Sequence, residues 1–121
     1  MTTAAVLVER AKAIGLPIAK NAFAGTVDEP VPPLPYLVYL LPHEKGRGAD
    51  DVNNLKEQDF DLELYTADDD AEREELVQRI ENEVLFDVEY DAFLAPVDGE
   101  DCYQTAWEIT GLLTKTKGAT P

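Results

Sequence analysis

Residues 59–65, DFDLELY, alternate without a break: Phe60, Leu62 and Leu64 fall on one side, and Asp59, Asp61, Glu63 and Tyr65 on the other. A period of two is the strand period, so one face of this segment demands a packed layer while the other meets solvent or a partner. The chain then runs into DDDAEREELVQRIENEV. Here Asp68, Asp69 and Asp70 stand where a helix start takes caps and negative charge. Leu76, Val77, Ile80 and Val84 repeat at helical spacing, and Glu75 and Arg79 are set for an i,i+4 ion pair. A half-buried strand passing directly into an amphipathic helix is the constraint that the rest of the fold has to satisfy.

The flanking segments supply the remaining layers. Leu7, Ala11 and Ile14, with Val8 beside them, mark a first helix, closed by Gly15 and Pro17. PIAKNAF reads as a short extended piece, and EPVPPLP as a stiff polyproline-like approach. YLVYLL is expected to be a buried strand stopped by Pro42, followed by a polar loop from His43 to Gln58. Further on, DVEYDAFLAPV alternates with Val88, Tyr90, Ala92 and Leu94 on one side, and Asp98-Gly99 signals a turn. The last strand, CYQTAWEITGLL, sets Tyr103, Thr105, Trp107 and Ile109 on one face. The expectation is an α+β domain over residues 1–114, a roughly four-stranded, mostly antiparallel sheet with two helices packed on one face, and a flexible tail over 115–121.

Charge narrows the function. The chain carries a formal net charge of −15. Residues 50–101 hold 20 of the 25 acids and 3 of the 10 bases, so this stretch stands at −17 and the flanks together at +2. A body this acidic repels phosphate and does not suit a broad nucleic-acid-binding face. No run approaches the roughly 18 apolar residues of a membrane span. The opening residues lack the basic region of a secretory signal, which suggests synthesis in the cytoplasm. Cys102 has no second cysteine to pair with and reads as a small packed side chain.

Catalytic patterns are not evident. His43 is the only histidine, placed in a polar stretch with no partner for base chemistry. GRG at 46–48 is too short for a phosphate cradle, and the aspartates at 68–70 lack the alternating ligands of a calcium loop. The reading is a protein without cofactor or metal, and not an enzyme; a metal-dependent hydrolase is a distant alternative.

Taken in order, LPYLVYL, a loop containing GAD, DFDLELYT, the acidic helix and EDCYQTAWEI resemble the tail completion, or tail terminator, proteins that join tail to head in long-tailed bacteriophages. The resemblance runs from about Leu16 to Ile109; Cys102 and Trp107 depart from the usual residues, and nothing after Leu113 matches. It implies a virion structural protein that forms a ring, typically of six copies, at the head-proximal end of the tail tube. Its partners would be other copies of itself, the tail tube protein and the head-tail connector, with DNA passing through the centre. Its place would be the virion neck, after assembly in the host cytoplasm.

Within that frame an acidic lumen would let DNA slide without the tight binding that a basic one gives through counterion release. Asp59, Asp61 and Glu63, with carboxylates about 7 Å apart along a strand, are the candidate lumen or partner surface. Lys45 and Arg47, and Lys115 and Lys117, are candidate contacts between subunits or with the neck. Two other accounts of the same acids are plain solvation and an acidic decoy that imitates DNA to occupy a DNA-binding host protein.

Overall fold

The computed structural model describes residues 2–47, 55–67 and 70–115. Two helices and six strands follow the order α1 (Ala4–Lys12), β1 (Ile18–Lys20), β2 (Tyr36–Leu40), β3 (Glu44–Arg47), β4 (Leu55–Thr66), α2 (Asp70–Glu83), β5 (Asp91–Pro96) and β6 (Tyr103–Lys115). The strands form one sheet in the order β1-β2-β4-β6-β5, with β3 also paired to β4. All pairings are antiparallel except β1 with β2. The fold is α+β, with six strands where four are expected. No helix among the described residues is long and apolar enough to cross a membrane.

The strand count differs because two strands carry little hydrophobic signal. β1 is three residues long. β3 is the polar EKGR, within the stretch expected to be a loop. There Glu44 to Arg47 pair with Gln58 to Leu55 along the same side of β4 that β2 occupies further on. Backbone pairing, Gln58 Nε2 donating to Glu44 at 2.9 Å and Lys56 Nζ 3.4 Å from Glu44 hold this polar hairpin together.

The alternation of β4 is realised in full. Phe60, Leu62, Leu64 and Thr66 are buried and the residues between them half-buried. Phe60, Leu62 and Leu64 meet Leu37 of β2 and Trp107, Ile109 and Leu112 of β6 in a single core. Both helices close that core from the same side, α1 with Ala4, Leu7 and Ala11, and α2 with Leu76 and Ile80, followed by Val84 and Leu85. Thr3 caps α1, its side chain accepting the Val6 N–H, and Gly15 leaves the helix at φ +95°, open to glycine at little cost.

Arg side chains tie the helical layer together. Arg10 donates to the Val84 carbonyl and pairs with Asp87 at 2.7 Å, with Phe86 beneath its guanidinium at 4.3 Å. Arg79 bonds the Ile14 carbonyl and turns to Glu83, whereas the helical spacing suggests Glu75.

One irregularity redirects β6. Between the Phe60–Ile109 and Gln58–Leu112 pairs, β4 has one residue and β6 has two. Gly111 takes φ +74° at this β-bulge. The extra residue reverses the alternation, so Ile109 and Leu112 both reach the core although three positions apart.

Candidate functional site: an acidic sheet face

The face of β4 turned away from the helices carries Asp59, Asp61, Glu63 and Tyr65, each half-buried. Strand pairing adds acids that the linear sequence does not group with them. Asp61 stands opposite Glu108 of β6, and Glu108 opposite Asp91 of β5, a row of three carboxylates across three strands. Directly opposed side chains lie about 5 Å apart at Cβ, close enough for like charges to repel appreciably. Burial, then Glu108, Glu63 and Asp59, push the Asp61 carboxyl above its ordinary value.

The three expected acids play different parts. Asp59 sits at the bulge, where its Oδ1 accepts the Gly111 N–H at 3.2 Å and its Oδ2 lies 3.7 Å from His43 Nδ1. Glu63 accepts the Tyr65 hydroxyl at 2.9 Å, and Gln104 donates to that same hydroxyl oxygen at 2.9 Å. Burial and the neighbouring Glu63 carboxylate push Tyr65 up to about 12. Asp61 is the acid most surrounded by its own kind.

Only part of this face is uncovered. The segment between β1 and β2 folds across the sheet beside Tyr36: Phe23 meets Tyr36 edge-on at 5.1 Å, and Tyr36 stacks on Tyr65 at 5.0 Å. Val38, which faces the same way, is thereby buried. The Asp61–Glu108–Asp91 row lies past this aromatic cover, next to a shallow polar depression formed by Val88, Glu89, Tyr90, Asp91, Glu108 and Thr110.

Of the expected contact residues, Lys45 stands opposite Glu57 of β4, on the same face as Asp59 and Asp61 and toward the other end of the strand. Lys45 is exposed on β3, in a paired strand and not on a free loop. Arg47 ends the same strand. Lys115 is paired by its backbone to Leu55 as the last residue of β6, and so belongs to the sheet and not to a tail. Lys117, Asp68 and Asp69 lie outside the described residues.

Glu108 and Asp91 are not grouped with Asp61 by alternation, because register between strands sets them beside it. The signal in the sequence is that Glu108 falls between the buried Trp107 and Ile109; Asp91 has no such mark, since all of β5 is exposed. Cys102 is a free, buried thiol, and burial with Glu100 and Asp101 nearby pushes its pKa up, in keeping with a packed role. Among the described residues no group of three or more metal-ligating side chains is arranged to hold an ion.

No protein-family model matches the chain, and no curated protein matches it either.

Proposed function

We propose that this chain is a tail completion subunit of a long-tailed bacteriophage. It acts in the virion neck without catalysis or cofactor, as a ring, typically of six copies, between the tail tube and the head connector. The observation that carries the reading is the carboxylate row Asp61–Glu108–Asp91 on a sheet face that the helical layer leaves uncovered. The motif order from LPYLVYL to EDCYQTAWEI supports it.

Like-charge contact within a folded sheet costs stability, so a row of this kind needs a reason. Turned toward the centre of a ring, it repels the duplex and keeps DNA moving. Phosphates approaching the Asp61–Glu108–Asp91 row meet like charge.

In-vitro joining tests the reading. Heads and tails from the virus that encodes this chain, the tails made without it, are mixed with the purified protein and infectious particles counted. Restored infectivity is expected. Triple reversal of Asp61, Glu63 and Glu108 to Lys should still join particles but slow DNA release, more so at low salt. Failure of the wild-type chain to restore joining, with the same tails rescued by lysate containing the missing product, sinks the proposal. The same uncovered acid row also suits a decoy for a DNA-binding protein, which would instead yield a salt-sensitive complex with that protein and no joined particles.

A further inference from the structure

The strand at one margin of the sheet is unprotected. All six residues of β5 are exposed, with Phe93 at 53 % and Leu94 at 54 %. The Val97 N–H bonds the Cys102 carbonyl, which sets the alternation of the β5–β6 hairpin. Asp91, Phe93 and Ala95 therefore bond toward β6, while the backbone groups of Ala92, Leu94 and Pro96 point outward. Pro96 fits this parity, because its missing N–H falls on the open side. Between Asp91 and Pro96 the edge is Ala-Phe-Leu-Ala, without the charge that commonly guards an open strand.

Beside this edge lies an open groove of about 500 Å³ between β5 and α2, with Val77, Ala92, Leu94 and Thr105 along it and Glu74 and Glu81 among its walls. Thr105 is 6 % exposed, and its Oγ1 has no hydrogen-bond partner among the described residues. An apolar edge, a side-chain groove and a polar atom without a partner together describe a seat for an added strand.

The opposite margin is β1. The Pro17 carbonyl and the Asn21 N–H both bond β2, so the intervening Ile18 and Lys20 direct their N–H groups outward. Above β1 lies α1. Its Arg10 is directed to Asp87, and Lys12, about 200° further round the helix, is on the other flank with exposed Lys20 below. The β1 margin thus carries Lys20 and Lys12, the latter 3.9 Å from Glu9, and the groove beside β5 carries Glu74 and Glu81 with Arg73, on a chain whose net charge of −15 opposes most self-contact.

We propose that the β5 edge of one copy receives the β1 edge of a second copy, head to tail. Within one chain β1 runs antiparallel to β5, since one parallel and three antiparallel steps separate them. A second copy related by rotation about an axis along the strands presents β1 antiparallel to the first copy's β5. Its helices stay on the same side of the continued sheet, and α1 comes to lie beside α2 over the groove. Lys12 and Lys20 of the second copy then come to the side of the sheet that carries Glu74 and Glu81 of the first. The contact is heterologous, the kind that closes into a ring or runs on as a filament. It also keeps the acid row of every copy on one surface. The proposal rests on the ring reading only for closure; the pairwise contact stands on the two edges.

Sedimentation of complementary variants tests it. Leu94→Lys blocks the β5 edge and, at an exposed position, leaves the fold in place. Lys20→Pro removes one outward N–H and one charge from β1 while sparing its bonds to β2; Lys20→Glu is the companion should proline disturb folding. Wild type is expected to gain mass with concentration up to about 1 mM, the weak end of specific association. Each variant alone should stay monomeric, and an equimolar mixture should give a dimer that grows no further, because one intact edge remains on each partner. Self-association of the β1 variants, as a β5-to-β5 pairing would allow, overturns the proposal. So does a mixture that stays monomeric, or a wild type monomeric throughout. Bounded pairing with no joining of heads and tails would sink the neck reading alone; joining by Leu94→Lys would sink this contact alone.

Discussion

Asp61→Asn should make the protein more stable at neutral pH. The substitution preserves shape and removes one charge from a position with Glu108 directly opposite and Asp59 and Glu63 two residues away on either side. A directly opposed like-charge pair costs roughly 0.2–1 kcal/mol. Asp59 and Glu63, about 7 Å away along the same strand, add less, and solvent screening at a half-exposed site takes some of it back. A net gain of about 0.2–1 kcal/mol follows, or about 1–4 °C in Tm for a domain of this size.

The same account fixes the pH dependence. The Asp61 pKa is raised in the folded protein by burial first and by the three acids next. The folded state therefore holds the proton more tightly than the unfolded one, and wild type gains on the variant as pH falls through that raised value. The deficit of wild type, full at pH 7, should be closed by about pH 3.9, where the unfolded carboxyl titrates. Thermal and urea unfolding at pH 7 and pH 4, at low and high salt, measure it. A variant no more stable than wild type at pH 7, or a difference indifferent to pH and salt, would refute the reasoning.

Three further outcomes follow from individual contacts. Asp59→Ala should lower stability by about 1 kcal/mol in urea unfolding, because the Gly111 N–H at the bulge loses its acceptor; two neighbouring acids of one face thus shift stability in opposite directions. Arg10→Ala should destabilise at pH 7 through loss of the Asp87 pair, the Val84 carbonyl bond and the Phe86 contact. Asp87 is held down to about 2, first by Arg10 and then by Thr2, so the difference is full above its ordinary value of 3.8 and fades as pH falls toward about 2, as acid unfolding of the two proteins would show. Trp107→Phe should cost about 1–3 kcal/mol in the same urea assay, since the fully buried indole packs in the core and donates to Glu81 at 3.1 Å.

Much of this architecture is legible from side-chain periodicity. Phe60, Leu62 and Leu64 declare the buried face of β4, and Leu76, Ile80 and Val84 that of α2, because hydrophobic burial imposes the period of the backbone. β3 was not legible: EKGR has no apolar pattern, and its pairing depends on the strand beside it. β5 misled in a different way. Its alternation implies a buried side, yet Tyr90, Ala92 and Leu94 are exposed because α2 stops short of covering them. That exposed side is the groove of the proposed contact. For the acidic face, Asp59, Asp61 and Glu63 follow from parity within one strand. Asp91 and Glu108 required the register between strands, which turns on a bulge at Gly111 and a hairpin at Asp98-Gly99.

The most direct test of the central claim is negative-stain imaging of the purified protein mixed with tail tubes from the virus that encodes it, the tubes assembled without this chain. The account predicts a ring capping one end of each tube. Bare ends, on tubes that other neck proteins still recognise, would contradict it.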